Sequence, residues 1–334
     1  MELRRKFTLL SAVAAMVCAG ALMTGCGKDA AAPSQNVDAK AAPEAQAPEE
    51  KQVIKIAYIP ITHAVPLLAA AERVNADPKK NYKIELVRYG SWPELLDALT
   101  TGRVDGASVL IEPAVKAKEK GLPLSLMALG HRNGNVIIGG PDQKIKGTTF
   151  AIPHRLSSHG ILIHEFLEKK GVDEKDVNIV EMAPPEMPSA LVSGKIGGYC
   201  VAEPFGAVAV HLGRGHVLMR DSELWPDSLC CGLVLNTRAL AGRDALTESF
   251  RKDYLAAGDY LAGHPQFAED VAVKYLKQGR EVLQISLPLV TFDHLEVTPE
   301  AYGKLSDLMK KWKLSDNPPS YDDFVMKVNN EKSN

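Results

Sequence analysis

The sequence predicts an α/β fold of two lobes joined by two crossings, with a ligand cleft between the lobes. Three observations lead there. From Val53 onward, short apolar runs alternate with helical stretches, the pattern of a mainly parallel sheet. A breaker cluster, Gly139-Gly140-Pro141-Asp142, divides the alternation into two sets. The two sets also echo each other. With Pro185 placed over Pro93, Pro-Glu meets Pro-Glu and Ala190-Leu191 meets Ala98-Leu99. Gly194 then meets Gly102, Lys195 meets Arg103, Gly198 meets Gly106 and Val201 meets Val109. The closing Glu-Pro pairs, 112–113 and 203–204, are one residue out of step.

In the first set, strands are predicted at 53–59, 82–89, 106–111, 124–129 and 135–140, each a short apolar or alternating run. Helices are predicted at 66–73, 93–102 and 114–120. Pro66 and Pro93 suit a first helical turn, where the missing N–H costs nothing. In the second set, strands fall at 148–152, 177–182, 198–202 and 216–220, and helices at 158–171 and 186–193. Residues 230–237, CCGLVLNT, read as a strand returning to the first lobe. From Ala245 the pattern is helical (248–264, 267–279 and 301–314) and carries no chemistry-bearing motif, so these segments read as packing and closing helices. The first lobe is therefore expected at 53–140 plus 230–334, and the second at 141–229, with crossings near 139–142 and 228–232.

The 334 residues suffice for about two domains, and 46% hydrophobic content supports a sizeable core. A formal charge of −2 gives no reason to expect nucleic acid. At the N-terminus, Arg4, Arg5 and Lys6 precede an apolar run ending in Thr24-Gly25-Cys26, the pattern of a secretory signal peptide over 1–25. The small residues before Cys26 resemble a bacterial lipobox, which implies lipidation of Cys26 and a membrane anchor. Residues 26–52 are rich in Ala, Pro, Glu and Lys and should be disordered. A flexible chain of that length reaches about 25–30 Å.

Candidate ligand contacts come from the strand-to-helix turns, where free backbone N–H groups and N-cap side chains collect. In the first turn Thr62 reads as an N-cap and His63 as a donor. In the second, Ser91 and Glu94 read as a capping box that presents Trp92 as an aromatic wall. The third offers Ser157, Ser158 and His159, and the fourth Glu186 and Met187. His131 and Asn133 lie beside the first crossing. Glu203 ends a buried strand and fits two roles equally, a ligand acceptor or a structural acid; Glu112 reads as structural.

Cys200, Cys230 and Cys231 lack a CxxC pair or zinc spacing and read as buried small hydrophobes, with a bridge from Cys200 to either neighbour left open. His154, His159 and His164 do not share a helix face, so no metal site is expected. Neither a nucleophile–base pair, a phosphate-binding glycine loop nor an HExxH motif occurs, so binding without a cofactor is the expectation.

IAYIPITHAVPLLAAAE, the SW before the repeat helix, GRVDGA, APPEMPSALVSGKIGGYCVAEPF and CCGLVL together resemble the solute-binding proteins of bacterial ABC importers. More narrowly, they resemble the NMT1-like group, whose solutes include nitrate, bicarbonate, sulfonates, taurine and a thiamin-precursor pyrimidine. The likeness runs from about Val53 to Thr237. It implies a type II periplasmic-binding-protein fold, a monomer that closes on a small polar or anionic solute, and ABC permease and ATPase partners. It implies a place on the extracytoplasmic face of a bacterial membrane. Binders of inorganic anions in this group use a lysine, which this cleft lacks; the nearby cations are His63, His131, Arg132 and Arg155. Two rivals are an extracytoplasmic sensor and a pyrimidine-synthesising enzyme of the same group, whose iron-linked cysteine cluster the Cys230-Cys231 pair partly matches.

Overall fold

The computed structural model describes residues 51–142 and 144–327. The expectations for the signal peptide, for Cys26 and for nearly all of the linker lie outside the described residues. Among the described residues, ten strands form two five-stranded sheets. The first contains β1 (Gln52–Tyr58), β2 (Tyr82–Arg88), β3 (Gly106–Leu110), β4 (Leu124–Leu129) and β10 (Cys231–Asn236), in the order β2-β1-β3-β10-β4. The second contains β5 (Asn135–Gly139), β6 (Thr149–Ile152), β7 (Asn178–Glu181), β8 (Gly198–Ala202) and β9 (His216–Arg220), in the order β7-β6-β8-β5-β9.

The two orders are the same path drawn twice. β1 and β6 each pair in parallel with a strand on either side. Every residue of β3 and of β8 is buried, as expected for inner strands covered on both faces. The offset of 92 that aligns the sequence echo also superposes these two strands, 106–110 on 198–202. Gly102 (φ 77°) and Gly194 (φ 71°) hold equivalent left-handed positions after their helices, a conformation that costs glycine little.

The fourth strand of each sheet comes from the other half of the chain. β10 lies antiparallel between β3 and β4, with Leu233 opposite Ser108; β5 lies antiparallel between β8 and β9, with Ile137 opposite Cys200. Two predictions need correction. Each sheet is mixed rather than mainly parallel at this edge, because the crossing strand arrives running the opposite way. The first crossing is at 130–134, not 139–142, since β5 already belongs to the second sheet. The glycine and proline cluster ends β5 inside the second lobe.

Helices cover the sheets: α1 (Val65–Ala76), α2 (Trp92–Thr100), α3 (Ile111–Glu119), α4 (Ser158–Lys170), α5 (Met187–Val192) and α6 (Phe205–His211). The C-terminal set is α7 (Asp244–Gly263), α8 (Pro265–Leu276), α9 (Arg280–Ser286), α10 (Pro299–Lys311) and the short α11 (Tyr321–Phe324). The sequence pattern missed α6, α9 and α11. The sequence pattern assigns FGAVAVH, which follows Glu203-Pro204, to no element. It is helical because the Glu203 carboxylate accepts the Ala207 N–H at 2.9 Å, satisfying one of the free donors of the first turn.

The C-terminal helices do not belong to the first lobe alone. α7 and α8 pack on α1, but α9 packs on α6 of the second lobe. Beyond α10, the Trp312 indole donates to Glu165 at 2.7 Å and stacks on His164, while Lys311 bridges Glu165 and Glu168 on α4. This tail straps both lobes together.

A direct tie joins the β1–α1 turn to the end of β8. The Thr62 N–H and hydroxyl both donate to the Glu203 carbonyl, at 3.0 and 2.7 Å. Thr62 therefore opens a 3₁₀ turn and spends its hydroxyl on the other lobe, instead of capping α1, which begins at Val65. Thr62→Val keeps the shape and the N–H bond but deletes the buried hydroxyl bond. It should lower unfolding free energy by about 1 kcal/mol, read as a lower urea midpoint at unchanged slope.

Candidate functional site

The two crossings lie against each other. The Gly130 N–H donates to the Cys231 carbonyl at 2.8 Å, and the Cys231 N–H donates to His131 Nε2 at 3.2 Å. The β1–α1 turn completes the group from the first lobe. The His63 ring stacks on the His131 ring, with centroids 3.3 Å apart and planes 19° apart. One nitrogen from each of His63 and His131 and the sulfurs of Cys230 and Cys231 all lie within 4.8 Å of one another, and all four residues are fully buried. Those atoms are of the kinds that hold a transition-metal ion.

Local backbone sets which ring nitrogens are free. Asn133 (φ 56°) and Gly134 (φ 95°) turn the chain sharply, and their carbonyls meet the two rings. His63 Nε2 donates to the Gly134 carbonyl at 3.1 Å, which leaves the Nδ1 lone pair buried without a partner among the described residues. His131 Nδ1 donates to the Asn133 carbonyl, so its lone pair is on Nε2. Burial, with the neighbouring His131 adding to it, holds the His63 pKa well below the usual histidine range. Burial also lowers His131 to about 3. Both rings are neutral at physiological pH. Gly134 cannot carry a side chain: a Cβ there would sit 2.7 Å from Val290 and 3.2 Å from His63 Nε2.

A second set of groups, without partners among the described residues, lies close to these four. His159, at the start of α4 in the second lobe, places Nε2 3.9 Å from the Cys230 sulfur and leaves Nδ1 without a partner. The Ser158 hydroxyl is buried and unpaired, while Ser157 caps α4 by accepting the Gly160 N–H at 3.3 Å. Glu112, in the first turn of α3, is fully buried, and neither carboxylate oxygen has a hydrogen bond. Burial raises its pKa to about 8; the Ser158 amide and hydroxyl approach closely enough to draw it back, without completing a bond of normal geometry. Buried polar atoms are nearly always paired in native proteins, so a group of orphans facing one region marks where a ligand completes the structure.

The other expected contacts fall in several places. Trp92 is 5% exposed and its indole N–H is unpaired. It lines an open, mostly apolar cleft of about 400 Å³ with Leu96, His154 and Leu156, and a smaller one of about 270 Å³ with Pro153 and Pro184. The second, third and fourth turns thus meet across the lobes, but neither cleft reaches the buried histidines and cysteines. Ser91 stands at the N-cap of α2 but forms no side-chain capping bond, so Trp92 is held by packing and not by a capping box. Glu186 is exposed, and Met187, the first residue of α5, is buried. The Glu203 carboxylate caps α6 and its backbone holds Thr62 and Gly134, which is the structural alternative of the two. Asn133 is half-buried, with an unpaired Oδ1. Arg132 is committed to Asp227 and Asp293, and Arg155 to the Ile179 carbonyl.

Sequence reasoning did not single out Cys230, Cys231 or Glu112 as candidate site residues. The cysteines are adjacent, and their partners lie far away in the chain. The signal available was position: both stand at a crossing, where the two lobes must meet.

The model of the NMT1-like family matches residues 47–275, more than half of the chain. The chain belongs to the NMT1-like family. Among solved structures, this NMT1-like chain is 38% identical to the ligand-binding component of an ABC-type import system from Staphylococcus aureus, solved with zinc bound. The TM-score is 0.79, covering 83% of this chain and 97% of that one. The aliphatic sulphonate-binding protein SsuA of Escherichia coli shares the fold, with a TM-score of 0.68 at 17% identity over 82% of this chain and 97% of that one. Among curated proteins, the nitrate import ATP-binding protein NrtC of Synechocystis sp. is 28% identical over 53% of this chain. The match spans only 30% of that relative's length. The fold is that of periplasmic binding proteins, as the sequence resemblance implied.

Proposed function

We propose that this NMT1-like protein is the solute-binding component of an ABC importer, working on the extracytoplasmic face of a bacterial membrane. A lipid on Cys26 would tether it, and the closed lobes would present the solute to a permease driven by an ATPase. The observation that carries this reading is the set of buried, unpaired polar atoms contributed by both lobes, His63 and Glu112 from the first, Ser158 and His159 from the second. Such a set is costly unless a ligand pairs it, and it is accessible to a ligand only when the lobes part. The Staphylococcus aureus relative, a binding component of an import system, supports the same role.

The character of the site bears on the solute. The curated relative is named for nitrate and the fold neighbour for sulphonates. Arg132 and Arg155 are otherwise engaged, and the buried groups offer lone pairs and carboxyls rather than fixed positive charge. This favours a cationic or neutral solute over nitrate, bicarbonate or a sulfonate. The zinc in the Staphylococcus aureus structure points the same way.

The test is a melting-temperature screen of the lipid-free chain against zinc, other divalent ions, nitrate, bicarbonate, taurine, alkanesulfonates and aminopyrimidines. A true solute at 100-fold over its Kd stabilises by about 2.7 kcal/mol, which is readily seen. At least one compound should raise the melting temperature. Silence across the panel, or turnover of any member, would remove the importer reading.

A further inference from the structure

We propose that the solute is a thiophilic divalent cation with the preferences of zinc, held by His63, His131, Cys230 and Cys231. The proposal rests on the importer reading and names its ligand. Two of the donors are sulfurs 3.8 Å apart and not bonded to each other. Two sulfurs each about 2.3 Å from one tetrahedral ion stand about 3.8 Å apart. The cysteines are thus already at ligand spacing, and one nitrogen of each ring lies within 4.8 Å of both sulfurs.

The imidazoles are arranged as ligands also. A metal-binding histidine normally directs its other N–H at a carbonyl or carboxylate, which fixes the tautomer and the ring. His63 does this with Gly134 and His131 with Asn133, successive carbonyls of one left-handed turn. Nδ1 of His63 is open, and Nε2 of His131 would exchange a 3.2 Å bond from the Cys231 amide for the ion.

Charge favours the same occupant. Binding replaces the hydration shell of the ion with two imidazoles and two thiolates, and two protons pass from the thiols to solvent. A doubly charged ion with two thiolates is neutral as a unit, so it can occupy a fully buried site without leaving net charge there. Two imidazoles and two sulfurs select zinc-like ions over magnesium or calcium, which require oxygen ligands. Three of the four donors stand at the two crossings, so the ion would join the strands about which the lobes move. His159, 3.9 Å from the Cys230 sulfur, links the same cluster to the second lobe.

Cobalt(II) titration into the reduced full chain, followed by competition with zinc, tests this. One cobalt per chain should bind with intense visible bands of tetrahedral geometry and a thiolate charge-transfer band, and zinc should abolish both. Cys230→Ser, Cys231→Ser and His63→Gln should each lose the signal, while Cys200→Ser, a buried free cysteine outside the set, should keep it. A variant that fails to fold is identified by circular dichroism; the remaining variants still decide the question. Octahedral cobalt spectra, or full binding after loss of both cysteines, would overturn the assignment. If cobalt and zinc fail to bind while an organic solute raises the melting temperature, the metal inference falls and the importer reading stands. If neither metal nor organic solute binds, both fall.

Discussion

Gly130→Ala should unfold at a clearly lower temperature than the native chain and capture its solute more weakly. Gly130 has an ordinary backbone conformation, so the expectation rests on space alone. A Cβ at this position would sit 2.7 Å from the His63 carbonyl oxygen and 3.1 Å from the Cys231 carbonyl oxygen. Both neighbours are backbone, so no side-chain rotation can relieve the contact. The β1–α1 turn and the start of β10 must be pushed apart, and these carry three of the four clustered donors. Overpacking a tight interior typically costs about 1–3 kcal/mol, and rigid neighbours place this case at the upper end. Gly303→Ala is the contrast. It lies within α10 with nothing within 4 Å of the new methyl, and should stabilise by up to about 1 kcal/mol. Paired urea titrations check both signs. A native melting temperature for Gly130→Ala would mean that the crossings have slack.

The solute-free protein should lose stability as pH rises from about 6.5 to 8, the reverse of a protein held by carboxylate ion pairs; below about 6.5 the lowered pKa values of His63 and His131 oppose the two carboxyls. Burial raises Glu203 to about 7, with Asp221 raising it further and the Ala207 N–H and Arg220 opposing. Burial raises Glu112 to about 8. A carboxyl with a raised folded pKa holds its proton more tightly in the native state than in the unfolded one. Its contribution is therefore fully present below its unfolded pKa, near 4.5, and is lost as pH rises through the folded value. For Glu203 the loss is about 3 kcal/mol, and for Glu112 it is comparable or larger. Glu112→Gln and Glu203→Gln should each flatten their share of the slope; Gln at 203 can still accept the Ala207 N–H through its amide oxygen. Unfolding free energies at pH 5, 6, 7 and 8 measure this. Equal slopes in native and variant chains would place the titration on other groups.

The doubled architecture was legible because it rests on local chemistry. Alternating apolar runs, prolines in first helical turns and left-handed glycines after helices act within a few residues, so Gly102 and Gly194 could be matched from the sequence alone. The one-residue slip of the Glu-Pro pairs has a structural counterpart. Glu112 lies inside the first turn of α3, whereas Glu203-Pro204 stands just before α6, with its carboxylate turned back to cap that helix.

The crossings and the buried cluster were not legible in the same way. Whether NVIIG pairs with the first or the second sheet depends on which edge is open when the lobes assemble, and its own apolar residues suit either. His63, His131 and Cys230 are separated by 68 and 99 residues, and no spacing rule joins them. From sequence alone, the serines and histidine at the start of α4 could be singled out as candidate donors, and Trp92 as a candidate aromatic wall of the cleft. Periodicity and turn chemistry determined the α/β elements, their doubling and the turns that face the cleft. Only the tertiary structure decided which strands cross, that the C-terminal helices strap both lobes, and that two histidines and two cysteines converge, because those outcomes depend on burial shared between segments distant in the chain.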